Sequence, residues 1–598
     1  MLLLEKDFKE QFYNSIVRSE NVIIFAHVDV DALCASMILS SLLATEELYY
    51  TVLAVRDWRE LKELFAEYSE LPSPPTHYVL LNCGGYRSFL ELQIENPKGF
   101  SIFVIDSRRP FHLDNVFNAD GLHVLCFESE LSELQIPAYN EIHDARFESD
   151  ASDSSEDEAE GGGGGNRGNS LADRVERRLL KRRQISAYRE NRERLLHKYF
   201  QYSYTSTPTS VLLLKLAHSM GKSSAGLTWC AAVGLASAHV EHAISQQTYS
   251  AICLEHMKPF IHRFQPRDKN RVDPTFRISF DRELPLPLYR HWSLNESIFN
   301  DPFFIRHCIL WKQEGKDKLK HLYARLGIPL NESSDAYDKL STERRREIFE
   351  IVEKFMKSEY LTFFSHLGFA RVFSAADVAR LLALMLQLPP LHLQPAEAAD
   401  FAGEMHRVCF RHAYMFLKYY IVQNGGATKE MDEAIQRYKS TLNGLRSLVF
   451  DSIPQNRFIL FRHFIMFTIQ NGKFPEVDLL HSPHCMSVFV NLALKVYTAF
   501  GTREKRVKKP LFVAVLNKLE GDHRWYTCSG SMSLADVIGD PERRTFIPQL
   551  FDKLAEDKRV HIQYDRIDPN VILVREDSYA TFFERLDLEL SAGSSSGP

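Results

Sequence analysis

Residues 22–31 read VIIFAHVDVD, an apolar run followed by two spaced carboxylates. The run 22–26 is continuous rather than alternating, which is typical of a strand buried on both faces of a parallel sheet. Apolar residues at helical spacing follow it over 32–43. The polar residues between them are therefore predicted to lie at the carboxyl end of a buried strand, where open α/β sheets form their ligand sites.

Strand and helix signals keep alternating up to about residue 128. Further elements are predicted here at 51–55, 58–68, 78–81, 101–105 and 122–127. The alternation predicts the α/β class with a doubly wound parallel sheet. Because the carboxyl ends of parallel strands share one edge of the sheet, we expect the loops 27–32, 82–85 and 106–110 to lie side by side.

The overall composition excludes several classes of protein. Lys and Arg total 72 and Asp and Glu total 78 among 598 residues, so the chain is not generally basic and any DNA contact would be local. None of the nine cysteines lies within four residues of another, which argues against CxxC zinc or redox motifs and fits a reducing compartment. No apolar run is long enough to span a bilayer, and charged residues at 5–7 argue against a signal peptide.

Composition also divides the chain into parts. The predicted order is an N-terminal α/β domain (1–128), an acidic and glycine-rich disordered linker (129–170), a basic helix with the remainder of the first domain (171–235), a large and mainly helical section (236–504), a small C-terminal α/β domain (505–590) and a flexible tail (591–598). In the linker, Ser154 and Ser155 each precede an acid by three residues, which suits acid-directed kinases. The basic helix has three interpretations: a solvated face, a nuclear-import signal or a nucleic-acid contact.

The three loops could carry metal chemistry. Asp29, Asp31 and Asp106 at one sheet edge could hold Mg²⁺ or Mn²⁺ and activate water for phosphodiester cleavage. The alternative is structural, because an Asp after a strand often caps the next helix, as Asp31 could for 32–43. No phosphate-binding loop of the G-x-x-x-x-G-K-[ST] type is present.

The loops resemble the DHH phosphoesterase superfamily, particularly the RecJ-type exonucleases. The first loop resembles the motif D-x-D-x-D-G, the second D-N-G and the third D-H-H-x-P. Seven residues stand at the superfamily's metal-site positions: His27, Asp29, Asp31, Asn82, Asp106, Ser107 and Arg108. Four of them depart from the motifs, since a histidine and an asparagine replace acids, and a serine and an arginine replace histidines.

The departures imply a vestigial metal site without catalytic residues or a cofactor. Asn82 brings no charge, and Arg108 keeps its proton and would repel a divalent ion. Like charges ~4 Å apart interact by roughly 4 kcal/mol per unit charge product at an effective dielectric constant near 20. Arg108 and Arg109 could instead contact DNA phosphates, or Arg108 could pair internally with Asp29 or Asp106. The rival interpretation is an active Mn²⁺-dependent single-strand exonuclease, because His27 and the three aspartates remain possible ligands.

Nearly the whole chain resembles the eukaryotic replication-factor branch of this superfamily. The segments YRHWSL (289–294) and ADV (376–378) carry this resemblance together with the loops. It implies a non-catalytic nuclear factor, needed for origin firing and fork progression, that bridges the Mcm hexamer and the GINS complex in the replicative helicase and binds single-stranded DNA. Replicative polymerases and single-strand-binding protein are further expected partners, and no membrane is expected. A DHH-like scaffold for another nuclear assembly is the third possibility.

Overall fold

The first sheet of the computed structural model contains six parallel strands. They are β1 (Leu2–Leu4), β2 (Asn21–His27), β3 (Tyr49–Val55), β4 (His77–Leu81), β5 (Ser101–Ile105) and β6 (Leu122–Cys126). Their order is β1-β6-β5-β4-β2-β3, and every neighbouring pair is parallel. The predicted parallel sheet is confirmed. Because β2, β4 and β5 are neighbours, the loops 27–32, 82–85 and 106–110 do meet at one edge of the sheet, the loop edge.

The described residues are 1–19, 21–46, 48–92, 99–118, 121–144, 171–263, 278–359, 367–370, 373–391, 393, 403–423, 428–469, 475–499, 508–517, 524–540, 542–563 and 567–595. Their longer helices are α1 (Val30–Leu43), α2 (Trp58–Ser69), α3 (Leu171–Phe200), α4 (Thr209–Ser219), α5 (Ala225–Val240), α6 (Pro302–Cys308), α7 (Gln313–Leu326), α8 (Thr342–Glu359), α9 (Ala375–Met385), α10 (Met405–Val422), α11 (Lys429–Ser452), α12 (Pro483–Thr498), α13 (Ile547–Glu556) and α14 (Tyr579–Ser595). None of the helices in these residues is both long and apolar enough to cross a membrane.

Helices cover both faces of the first sheet. Along β2, Val22 and Ile24 face one apolar cluster, which includes α1, α4 and α5, while Ile23 and Phe25 face a second cluster, which includes α2. Almost all side chains of α1 and α5 are buried, because these helices are apolar around most of their circumference. The arrangement is the doubly wound layering that the sequence predicts.

A close approach between α4 and α5 depends on a glycine. A Cβ atom on Gly234 of α5 would lie 2.2 Å from the Ser210 hydroxyl of α4 and 2.8 Å from a carboxylate oxygen of Asp31. No real Cβ contact is that short, and the obstructing groups are buried. The helix–helix distance next to the loop edge is therefore set by the missing side chain at position 234.

The second sheet is larger than predicted. It contains β7 (Phe458–Leu460), β8 (Ile465–Ile469), β9 (Leu511–Leu516), β10 (Trp525–Ser531), β11 (Ile562–Gln563) and β12 (Val571–Arg575) in the order β7-β8-β9-β10-β12-β11. Only β8 and β9 are parallel. The predicted domain boundary at residue 505 cuts this sheet, because β7 and β8 come from the section predicted to be mainly helical. That section also contains α6 to α12 and a two-stranded antiparallel sheet formed by Ser279–Arg282 and Leu367–Ala370.

Two predicted flexible segments are partly folded. Short helices Leu131–Leu134 and Tyr139–Ile142 lie within the predicted linker 129–170, and the side chain of Ile142 is buried. Residues 145–170, which include Ser154 and Ser155, lie outside the described residues. At the other end, α14 runs to Ser595 and so covers most of the predicted tail.

The predicted basic helix is confirmed as α3, and its last turns are tied to the first domain. The Tyr188 hydroxyl donates to Ile142 O (2.7 Å), Arg192 Nε donates to the same oxygen (2.9 Å), and the Tyr199 hydroxyl donates to Phe111 O (2.8 Å). Residues 181–183 (Lys-Arg-Arg) are exposed on this helix.

We predict that Gly234→Ala lowers the free energy of unfolding by about 1–3 kcal/mol, the usual range for overpacking a filled interior. The new methyl group must displace the Ser210 and Asp31 side chains. Urea denaturation followed by circular dichroism measures the change. Gly539→Ala is the matched control, since its Cβ would meet nothing within 4 Å. Equal stabilities of the two variants would contradict this account of the helix approach.

Candidate functional site

Asp29 is the helix cap among the loop-edge carboxylates. Its Oδ1 accepts from Ala32 N (2.7 Å), which caps α1, and its Oδ2 lies 2.7 Å from His27 Nδ1. The predicted cap at Asp31 is therefore wrong by two residues, because α1 begins at Val30. Burial raises the pKa of the Asp29 carboxyl, but the hydrogen bond and charge of His27 and the charge of Arg108 outweigh burial and hold it below the ordinary value.

Asp31 binds the start of a different helix. Its oxygens accept from Thr209 N (2.8 Å), Ser210 N (3.0 Å) and Ser210 Oγ (2.5 Å), so the carboxylate closes the N-terminus of α4. Acceptors at helix N-termini satisfy amide groups that have no partner inside the helix. Burial, reinforced by the charge of Asp29, raises the pKa of Asp31 to about 6.

Asn82 places its amide between the two carboxylates. Its Nδ2 donates to both oxygens of Asp29 (3.2 and 3.3 Å) and to Asp31 (2.9 Å). Its Oδ1 accepts from Ser107 N (3.2 Å) and Thr209 Oγ1 (2.6 Å), which fixes the orientation of the amide. The NH₂ group therefore occupies the position between carboxylates where a cation would otherwise be needed.

Arg108 points into the site. Its Nη1 donates to Asn82 O (2.8 Å), and its Nη2 lies 3.9 Å from Asp29 Oδ2 and 3.2 Å from His27 Nδ1. Burial lowers the pKa of Arg108, but the charges of Asp106, Asp29 and Asp568 outweigh it and raise the pKa above the ordinary value. The geometry thus favours the predicted internal pairing over a phosphate contact.

Arg109 is buried and turns away from the groove. Its Nη2 lies 2.5 Å from Glu130 Oε2, its Nη1 donates to Asp106 O (2.6 Å), and its guanidinium stacks on Phe111. Only 2% of the residue is exposed. The predicted DNA-phosphate contact is therefore wrong for Arg109, because its charge is already paired inside the protein.

The residues present do not fit a divalent cation. Asp106 accepts from Gly85 N and Arg108 N, both at 3.0 Å, so it has the same kind of protein donors as Asp29 and Asp31. Ser107 is buried and binds Asn82 through its backbone. The described part of the chain has no group of three or more His, Cys, Asp or Glu side chains arranged to hold a metal. Hydrogen-bond donors and a guanidinium take the role that metal charge would have.

The site lies at the wall of a cavity of about 460 Å³ between the first domain and the helical section. His27, Asp29 and Arg108 line it from the sheet edge, and His406 and Asp568 line it from the other side. Sequence reasoning missed Thr209, Ser210, Glu130 and Asp568 as partners of the site. Pro208 followed by two hydroxyl residues does signal a helix start, but no local pattern names the carboxylate that such a start will meet.

Comparison with known proteins gives the family. The CDC45 family model matches residues 22–589. The chain belongs to the CDC45 family. It is 26% identical to the human cell division control protein 45 homolog, over 97% of this chain and 98% of the human one. Family membership supports the predicted role in DNA replication and the cell cycle.

A solved structure of the same family shows the same fold. The crystal structure of CDC45 from Entamoeba histolytica covers 99% of this chain and is itself covered completely, with a TM-score of 0.66 at 15% identity. RecJ from Thermus thermophilus in complex with Mn²⁺ also aligns, with a TM-score of 0.41 at 11% identity over 98% of this chain and 55% of that one.

We predict that the stabilising contribution of Asp31 falls as the pH rises. Folding raises the pKa of this carboxyl from 3.8 to about 6, so the folded state prefers the protonated form. The contribution is full below about pH 4 and is lost as the pH rises through about 6, by roughly 3 kcal/mol at most. Urea denaturation of wild type and Asp31→Asn between pH 4 and 7.5 measures it. A difference between the two proteins that is constant with pH would contradict the assignment.

We also predict that the positive charge of Arg108 prevents metal binding even when the other ligands of a metal site are restored. Asn82→Asp/Ser107→His/Arg108→His should gain Mn²⁺ affinity, seen as a rise of several degrees in melting temperature on adding Mn²⁺. The control, Asn82→Asp/Ser107→His, keeps the guanidinium and should not respond. A response of wild type equal to that of the triple variant would show that the present donors do accommodate the ion.

Proposed function

We propose that this chain is a non-catalytic nuclear replication factor that bridges the Mcm hexamer and the GINS complex in the replicative helicase and contacts single-stranded DNA. One observation supports it above all others. In a member of the CDC45 family, the Asn82 amide lies between Asp29 and Asp31, and Arg108 adds a fixed positive charge. A phosphodiesterase would need that position for a metal that activates water.

A bridging subunit needs a rigid body with several faces, and the contacts between the two sheets supply one. Ser203 and Thr545 exchange two backbone hydrogen bonds (2.7 and 2.8 Å), and the Tyr86 hydroxyl donates to Asp552 (3.1 Å). Ile567 from the C-terminal domain packs in an apolar cluster of the first sheet. These contacts join the first domain to the C-terminal domain, which suits a rigid scaffold better than an enzyme whose domains move.

The helicase role is tested by assembly. The purified full-length chain should co-purify with GINS and the Mcm hexamer and should support origin-dependent unwinding when added to extracts depleted of the endogenous factor. End-labelled single-stranded DNA incubated with the protein and Mn²⁺ should stay intact. Mn²⁺-dependent cutting that disappears in Asp29→Ala/Asp106→Ala would show an active exonuclease instead. Binding to neither GINS nor Mcm would favour a scaffold of another nuclear assembly.

For single-stranded DNA, the exposed basic face of α3 is a better candidate than the loop edge, since both arginines of that edge are paired internally. We predict that Lys181→Glu/Arg182→Glu/Arg183→Glu weakens binding at least tenfold near 0.1 M salt. Loss of three phosphate contacts should reduce the slope of log affinity against log salt by about 2. Fluorescence anisotropy at several salt concentrations measures both. Arg108→Gln is the control and should bind like wild type. Weaker binding by Arg108→Gln, with unchanged binding by the triple variant, would place the DNA contact at the loop edge instead.

A further inference from the structure

A second cavity, of about 220 Å³, lies between the helical section and the C-terminal domain. Four cationic side chains line it: Arg306 on α6, Arg380 on α9, Lys495 on α12 and Arg543 just before α13. These residues come from four separate elements, so the charge is concentrated by the fold and not by a local run of sequence. The volume corresponds to roughly seven water molecules at about 30 Å³ each.

Three of these cations have no carboxylate within ion-pair distance in the described part of the chain. Arg380 pairs with Asp377 at 2.8 Å, whereas Arg306, Lys495 and Arg543 make no ion pair there. Arg543 Nη1 donates to His242 O (3.0 Å), but its buried Nε has no hydrogen-bond partner in the described residues. Arg306, Lys495 and Arg543 are each only partly exposed, and cations that are partly removed from water usually have a carboxylate nearby, so this cluster is unusual.

One acid lines the same cavity. Asp301 caps α6 through its Oδ1, which accepts from both Phe303 N (3.0 Å) and Phe304 N (3.2 Å). The three unpaired cations and this single carboxylate leave an excess of about two positive charges. The electrostatics agree with the geometry: burial and the nearby Arg543 lower the pKa of Lys495 to about 8, although Asp301 opposes the shift.

The rest of the lining is suited to an organic group. Pro285, Pro287 and Met356 form an apolar wall beside the cations. Asn300 also lines the cavity, and its amide is held in place because Nδ2 donates to Glu296 O (2.9 Å) and Asn443 Oδ1 (3.0 Å). A second cleft of about 200 Å³ is adjacent, since His242 and Arg543 line both it and the cavity.

We propose that this cavity binds the dianionic phosphate group of a small phosphate monoester, with Lys495, Arg306 and Arg543 on the phosphate and the apolar wall on its organic part. A phosphate monoester carries a charge of −1.5 to −2 near pH 7, which matches the excess of two. Arginine forks bind phosphate oxygens in pairs, and lysine adds a point charge. The site is separate from the loop edge of the first sheet, since the two cavities share no lining residue.

Isothermal titration calorimetry at low ionic strength tests the site, with glucose 6-phosphate, inorganic phosphate and glucose as probes. Wild type should bind both phosphate compounds and not glucose. Lys495→Met should bind them at least about tenfold more weakly, because it removes one charge-assisted hydrogen bond. Lys429→Met is the matched control, since that side chain is 92% exposed far from the cavity, and it should bind like wild type. Tighter binding of the ester than of inorganic phosphate assigns an ester, and equal binding assigns free phosphate.

Arg306→Gln is a second variant, on another helix, and should weaken binding in the same way. The melting temperature of each variant without phosphate shows whether it is folded. Phosphate should raise the melting temperature of wild type and Lys429→Met but not of Lys495→Met. No heat and no shift with wild type at millimolar probe, or equal affinities of wild type and both cavity variants, would overturn the proposal.

Discussion

Two carboxylates that are buried side by side must be compensated, and the loop edge of the first sheet is built around that constraint. Asp29 and Asp31 follow β2 with one residue between them, and each isolated charge would cost several kcal/mol in the interior. The compensation comes from the Asn82 amide, His27, Arg108 and the backbone at the start of α4. Every one of these donors comes from a different part of the chain, so neutralising the charges also fixes the fold.

The loop edge therefore links distant parts of the fold. Asp31 connects β2 with α4 across 178 residues, and Gly234 lets α5 come close enough to cover the connection. A metal ion could neutralise the same carboxylates, but here protein donors do so, because each oxygen of Asp29 and Asp31 is in contact with an N–H or O–H group. The poor fit for a divalent cation and the rigidity of the loop edge are thus two consequences of the same residues.

The sequence predicts the parts of this arrangement that depend on local patterns. Continuous apolar runs predict β2, β4 and β5, and strand order then brings their polar ends together. It does not predict the link from Asp31 to Ser210, because a hydroxyl at a helix start carries no sign of its distant partner. For the same reason the sequence gives no sign of the partner of Arg109, because Glu130 lies in a segment that composition predicts to be a linker. The sequence does not assign β7 and β8, because their apolar and aromatic run fits a buried helix as well as a strand.

Whether an arginine can bind a ligand depends on whether an acid lies within ion-pair distance of it. That distance is a property of the fold and not of the residue. Arg108 and Arg109 follow a strand end that carries acids, so they are internal partners and poor candidates for binding DNA. Lys495 and Arg306 stand on helices whose nearest carboxylate already caps α6. Their charge is therefore uncompensated by the described residues, and an anion from outside can bind there. Binding sites in this scaffold are thus to be sought where the protein leaves charge unpaired, and the loop edge of the first sheet leaves the least unpaired charge.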